Sequence, residues 1–203
     1  MPLFSKNEKK VFFIHIPRTS GRYVTELFKC NNFDLKFHET SMKDLVCDLL
    51  PAHFHYPLYN RYFGVRDCSH FSIVRDPVNK IWSSLKIYYL MYKPPNYFKN
   101  LENKNWFNDF IDFQRSHESY HNNWFSPQFS FISEKTKIYR YEAGMNENFI
   151  FWVNDNFSLD LIDKKVKYKK LNEEKIVYDF TLTKNLANNI KEYYYEDYKK
   201  FYG

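Results

Sequence analysis

The chain has 203 residues, 44% of them hydrophobic, with a formal net charge of +6 and a pI near 9.0. That length fits one domain, residues 1–203, with a sizeable core, and the basic balance favours anionic partners such as nucleotides or sulfated and acidic glycans. Cys30, Cys47 and Cys68 form no C-x-x-C and cannot all pair, which sets aside a disulfide framework and a zinc ribbon in favour of free thiols in a reducing compartment.

In chain order, the opening MPLFSKNEKK is too polar for a secretory signal. VFFIHI (11–16) reads as a short buried strand closed by Pro17. Residues 19–30 follow as a helix with Tyr23, Val24, Leu27 and Phe28 on one face. A second helix is expected at 40–50, with Ser41 as its cap, and HFSIV (70–74) as a second continuous apolar strand. In 75–92 Asp76 can cap a helix and Pro77 takes its first position, where proline is favoured. Further helices are expected at 103–121 and 181–201, and a strand at 137–142 that turns at Gly144. The densest basic run, KKVKYKK (164–170), reads first as a solvated face. No run approaches the roughly 18 apolar residues that span a bilayer. Buried strands alternating with amphipathic helices predict an α/β domain around a central, mostly parallel sheet.

Two strand–turn–helix units carry the chemistry. A helix N-terminus presents unpaired N–H groups and a partial positive charge, so the turn before it is a natural anion seat. At 17–23 Arg18 adds a permanent charge, Thr19 and Ser20 add hydroxyl donors, and Gly21 lets the backbone approach a ligand. The Walker pattern G-x-x-x-x-G-K-[ST] is absent and the chain has only four glycines, which argues against a nucleoside triphosphatase. In FSIVRDPVNKIWSSL, Arg75 leaves a strand end and Ser83 follows about two helical turns on, so both can address one phosphate.

Taken together, HIPRTSGRYV and FSIVRDPVNKIWSSL resemble the 5′-phosphosulfate loop and the 3′-phosphate motif of sulfotransferases, whose donor is 3′-phosphoadenosine 5′-phosphosulfate. PAHFHYPLYN, WFSPQFSFI, IYRYE and YYYEDYKKFYG are similar to segments of the branch that modifies polysaccharides. Arg18 stands where that loop usually has lysine, Arg22 and Tyr23 where it has hydroxyls, and Ala52 where glycine precedes the histidine.

The resemblance implies a three-layer, P-loop nucleotide-kinase-like fold. It implies donor binding by Arg18, Thr19, Ser20, Gly21, Arg22, Tyr23, Arg75 and Ser83. It gives Arg18 the developing charge on the leaving oxygen and His53 the role of base toward an acceptor hydroxyl, more plausibly on a carbohydrate than on a phenol, with no metal. His15 reads as structural and His55 as the lesser candidate for base. Arg140 and Glu142 read first as a strand-end ion pair and second as residues orienting the active-site wall, and Lys169 and Lys170 as candidates to close over the 3′-phosphate. Without a membrane anchor, a cytoplasmic setting in a bacterial cell or virus-infected host is expected. No nucleic-acid module is recognisable.

Two rivals stand beside this. HESYH (117–121) is a literal H-E-x-x-H, which on a helix would make His117 and His121 zinc ligands and Glu118 the base of a hydrolase. The other is a binder of the nucleotide or a glycan that has lost transfer.

Overall fold

The computed structural model describes residues 2–37, 53–63, 68–92, 97–116, 123–166, 178 and 180–203. Five strands form one mixed sheet: β1 (Leu3–Lys6), β2 (Lys9–Ile14), β3 (Asp34–Lys36), β4 (His70–Val74) and β5 (Lys137–Arg140), in the order β3-β1-β2-β4-β5. Only half of the pairings are parallel, β2 with β4 and β4 with β5; β1 runs antiparallel to both β2 and β3. The expected mostly parallel sheet is therefore corrected to a mixed one. The polar N-terminal stretch folds as a β1–β2 hairpin around Asn7, whose φ of 55° asparagine tolerates better than most residues. Its short, half-polar strand carries no apolar periodicity to announce it.

Seven α-helices accompany the sheet among the described residues: α1 (Gly21–Cys30), α2 (Tyr56–Phe63), α3 (Pro77–Tyr92), α4 (Lys104–Ser116), α5 (Glu147–Phe157), α6 (Lys184–Tyr193) and α7 (Tyr195–Phe201). The expected helix at 40–50 lies outside the described residues. Pro77 opens α3 as the sequence predicts, and the Asp76 carboxylate accepts from Asn79 N at 2.9 Å. The single helix expected over 181–201 is instead broken at Tyr194, a buried residue that ends α6 and precedes α7. Helix α5, not anticipated, is capped by Asn146, whose side chain accepts from Asn148 N.

Strand alternation divides the apolar side chains between the two faces of the sheet. Val11, Phe13, Phe71 and Ile73 pack under α1 and α5 with Leu27, Phe28, Phe149 and Val153. Phe12, Ile14 and Val74 face the other way, against Phe54, Phe131 and Phe201. All five residues of β4 are buried, which is why its sequence is continuously apolar apart from His70 and Ser72. Burying each such phenylalanine contributes about 1.5–3 kcal/mol. A separate aromatic cluster joins α3, α4 and α6 through Leu85, Phe98, Phe107, Phe110, Phe180 and Ile190. Because β2 and β4 are parallel neighbours, with Ile14 opposite Ser72, the turns that follow them emerge side by side.

Candidate functional site

The turn after β2 is tightly wound. Arg18 and Ser20 both adopt left-handed backbone, φ 69° and 71°, which costs a non-glycine residue of order 1–3 kcal/mol each. This conformation starts α1 at Gly21 instead of residue 19. The Thr19 hydroxyl, fully buried, donates to Ile16 O at 2.7 Å and ties the turn to itself. Ser20 makes no side-chain cap and the first turn of α1 carries no acidic residue, so the positive end of the helix is not offset there. Arg22 is exposed, whereas Tyr23 is buried with its ring against Phe149 in the core.

Gly21 has a second reason to be glycine. A Cβ built there would lie 2.0 Å from His15 Nε2, so the imidazole of His15 sits directly over the helix start. The ring of His53 stands 5.0 Å from that of His15, edge to face, and the His53 carbonyl accepts from Asn123 Nδ2 at 2.9 Å. His55 turns instead toward Phe131, 4.3 Å between ring centres. His15, read from sequence as merely structural, thus lies between His53 and the first turn.

The second turn meets the first through arginine. Arg18 donates from Nε (3.0 Å) and Nη2 (2.7 Å) to the Ser83 hydroxyl on α3, and Arg75 Nη1 donates to Arg18 O at 3.3 Å. The Arg75 guanidinium lies 4.6 Å over the ring of Tyr141, and its Nε is buried with no hydrogen-bond partner among the described residues. Three residues singled out in two separate motifs therefore form one cluster: Arg18, Arg75 and Ser83. The packing contact with His15 joins Gly21 to His53 beside it.

Comparison with protein families, curated proteins and solved structures gave no match. The resemblance noted in the sequence rests on the quoted motifs alone.

Of the residues that frame the site, Glu142 was singled out in the sequence with the wrong partner, and Tyr198, Tyr202 and Asp197 were not singled out. Glu142 does not pair with Arg140; it accepts from Asp76 N at 2.7 Å and from the Tyr202 hydroxyl at 2.9 Å, while Arg140 lies over the Tyr202 ring. Tyr198 donates to the other side of the same turn, at Asp76 Oδ2. Burial and the carboxylates beside them hold both phenols well above their ordinary pKa. Gln128 and Asp197 complete the frame: Gln128 N and Phe129 N donate to the two oxygens of Asp197, each at 2.9 Å. The helical pattern over 181–201 covers α7, but nothing in it marked which tyrosines face the site.

Lys80, in the first turn of the R-D-P-x-x-K-x-x-S motif's helix, is buried and donates to Trp124 O (2.9 Å) and Ser126 O (2.7 Å). Desolvation lowers its pKa to about 7, against the opposing pull of Asp197. It stitches α3 to the 123–128 segment and is not a phosphate ligand. No group of three or more metal-ligating side chains occurs among the described residues. His117, Glu118 and His121 lie outside those residues, as do Lys169 and Lys170. Cys30 and Cys68 are free thiols, and no described helix is long and apolar enough to cross a membrane.

Proposed function

We propose that the chain is a 3′-phosphoadenosine 5′-phosphosulfate-dependent O-sulfotransferase acting on a hydroxyl, most plausibly of a carbohydrate. The observation that carries this is the meeting of Arg18, Ser83 and Arg75 at the carboxyl ends of two adjacent parallel strands. That is where an open α/β sheet holds its ligands. Helices on both faces of the sheet are in keeping with the three-layer, P-loop nucleotide-kinase-like architecture the resemblance implies. The free thiols of Cys30 and Cys68 fit a reducing, cytoplasmic setting.

In this reading the acceptor oxygen attacks sulfur in line, the bond from sulfur to the 5′-phosphate oxygen breaks, and adenosine 3′,5′-bisphosphate leaves with the electron pair. Charge builds on the leaving oxygen, so fixed positive charge and positioning supply most of the catalysis. Arg18 would meet that charge, and as a guanidinium it acts as an electrostatic clamp, not a proton donor. Gly21, Ser20 and Arg22 would complete the cradle at the positive end of α1. The inward Thr19 hydroxyl would shape the loop and Tyr23 would anchor α1, leaving the loop backbone as their contribution to binding. Arg75 and Ser83 would hold the 3′-phosphate, Arg75 with the N–H now directed at Arg18 O and Ser83 with its hydroxyl, which now accepts from Arg18. His53 would accept the proton of the attacking hydroxyl.

Thermal-shift titration with adenosine 3′,5′-bisphosphate tests the reading. At 100 times its dissociation constant the ligand should add about 2.7 kcal/mol of stability. Arg75→Ala should abolish most of that gain, and an unresponsive wild type would refute donor binding. Transfer of label from the sulfate donor to an oligosaccharide separates an enzyme from a binder that has lost transfer.

A further inference from the structure

At the end of β4 the sheet runs out of partners. Val74 pairs with Arg140, the last residue of β5, and the neighbouring chain then turns into the 3₁₀ segment Tyr141–Ala143. The N–H and C=O of Arg75, one residue further, would be left without a ladder, and buried backbone polar groups require partners. One side chain serves both: Gln128 Oε1 accepts from Arg75 N at 2.9 Å, and Gln128 Nε2 donates to Arg75 O at 2.8 Å. The amide of Gln128 thus substitutes for a strand and fixes the backbone from which the Arg75 side chain leaves.

Gln128 is itself 0% exposed, so it does not meet a solvent-borne ligand directly. Its own backbone is anchored from the opposite end of the chain, because the carboxylate of Asp197, 1% exposed, bonds Gln128 N and Phe129 N. A buried carboxylate is unfavourable unless hydrogen-bonded, and here both oxygens are engaged. Asp197 also lies within electrostatic reach of Lys80, which is bonded to the same segment at Trp124 O and Ser126 O. The 123–129 segment is therefore clamped from α3 and α7 and transmits that rigidity to Arg75 through two hydrogen bonds.

We infer that Gln128, held by Asp197, is the positioning residue that aims Arg75 and so sets the selectivity of the site for a nucleotide carrying a 3′-phosphate. This rests on the donor-binding reading above, in which Arg75 is the 3′-phosphate ligand. A merely structural glutamine would weaken all nucleotides alike when replaced. A residue that aims Arg75 affects only the ligand Arg75 touches.

The test is calorimetric titration of the full chain with adenosine 3′,5′-bisphosphate and, separately, adenosine 5′-monophosphate, for wild type, Gln128→Leu and Asp197→Asn. Stoichiometry is fitted apart from affinity, so partial unfolding of a variant lowers the number of sites and leaves the dissociation constant of folded molecules readable. Wild type should prefer the bisphosphate. Gln128→Leu should lose about tenfold or more of that preference while monophosphate affinity stays within about twofold. Asp197→Asn, which keeps the volume and one acceptor, should lose a smaller part of the preference in the same direction. Undiminished preference in Gln128→Leu, or an equal loss for both nucleotides, would overturn the inference and leave the donor site standing. A wild type without preference for the bisphosphate would overturn both.

Discussion

The turn after β2 and the turn after β4 leave neighbouring strands and lead into helices, yet they are held by different means. The backbone of the first is closed locally, Thr19 bonding Ile16 and His15 packing on Gly21, and distant bonds reach it only at Arg18, through Arg75 and Ser83. The second is held from afar, Arg75 by Gln128 at a separation of 53 residues, and Asp76 by Glu142 at 66 and Tyr198 at 122. A locally closed turn can form as soon as its strand does. One tied to distant segments must wait for α7 to dock, because the entropy of closing long loops precedes the bonds that offset it. Arg18, proposed for the leaving group, therefore sits on a turn whose backbone closes locally, and Arg75, proposed for the 3′-phosphate, on one whose backbone depends on distant segments.

The largest expected effect breaks the first turn. Gly21→Ala would place a methyl 2.0 Å from His15 Nε2, and overpacking of that kind costs about 1–3 kcal/mol, against a helix-propensity gain of at most about 1. Urea denaturation should show this loss and its partial recovery in the double variant His15→Ala/Gly21→Ala, a non-additive pair. Additive behaviour would mean that the imidazole does not lock the turn.

The next effect is a pH dependence belonging to the long-range frame. Lys80 titrates near 7 in the folded chain and near 10.5 once exposed, so between these values the unfolded state binds the extra proton. Stability from this residue should therefore be lowest below pH 7 and rise as pH increases toward about 10, at no more than about 1.4 kcal/mol per pH unit. Thermal melts of Lys80→Met should lack that rise.

Smaller changes sharpen the contrast between the turns. Thr19→Val removes one buried hydrogen bond and should cost about 1 kcal/mol in denaturant titrations, without altering the preference for a 3′-phosphate. Tyr198→Phe removes the bond from α7 to Asp76 and should cost about 0.5–1 kcal/mol. Its signature is faster hydrogen exchange in the second turn and not in the first. Equal exchange in both turns would erase the distinction.

Much of this molecule is determined by sequence alone. The apolar run of β4, the Asp76–Pro77 start of α3 and the buried face of α1 are local patterns, and each appears where periodicity and capping chemistry put it. Arg18 and Arg75 were legible as candidates because each places a charge at a strand-to-helix turn, and Ser83 because it follows Arg75 by about two helical turns. Only the tertiary structure decided that Arg18 would grip Ser83, that His15 would stand beside His53, and that Gln128, Glu142, Asp197 and Tyr198 would hold the second turn. It also decided the antiparallel β1 hairpin, the rise of α5 after Gly144 and the break at Tyr194. These depend on which distant segments meet, and a buried polar side chain acquires its partner only when the fold brings a backbone group left unpaired within its reach.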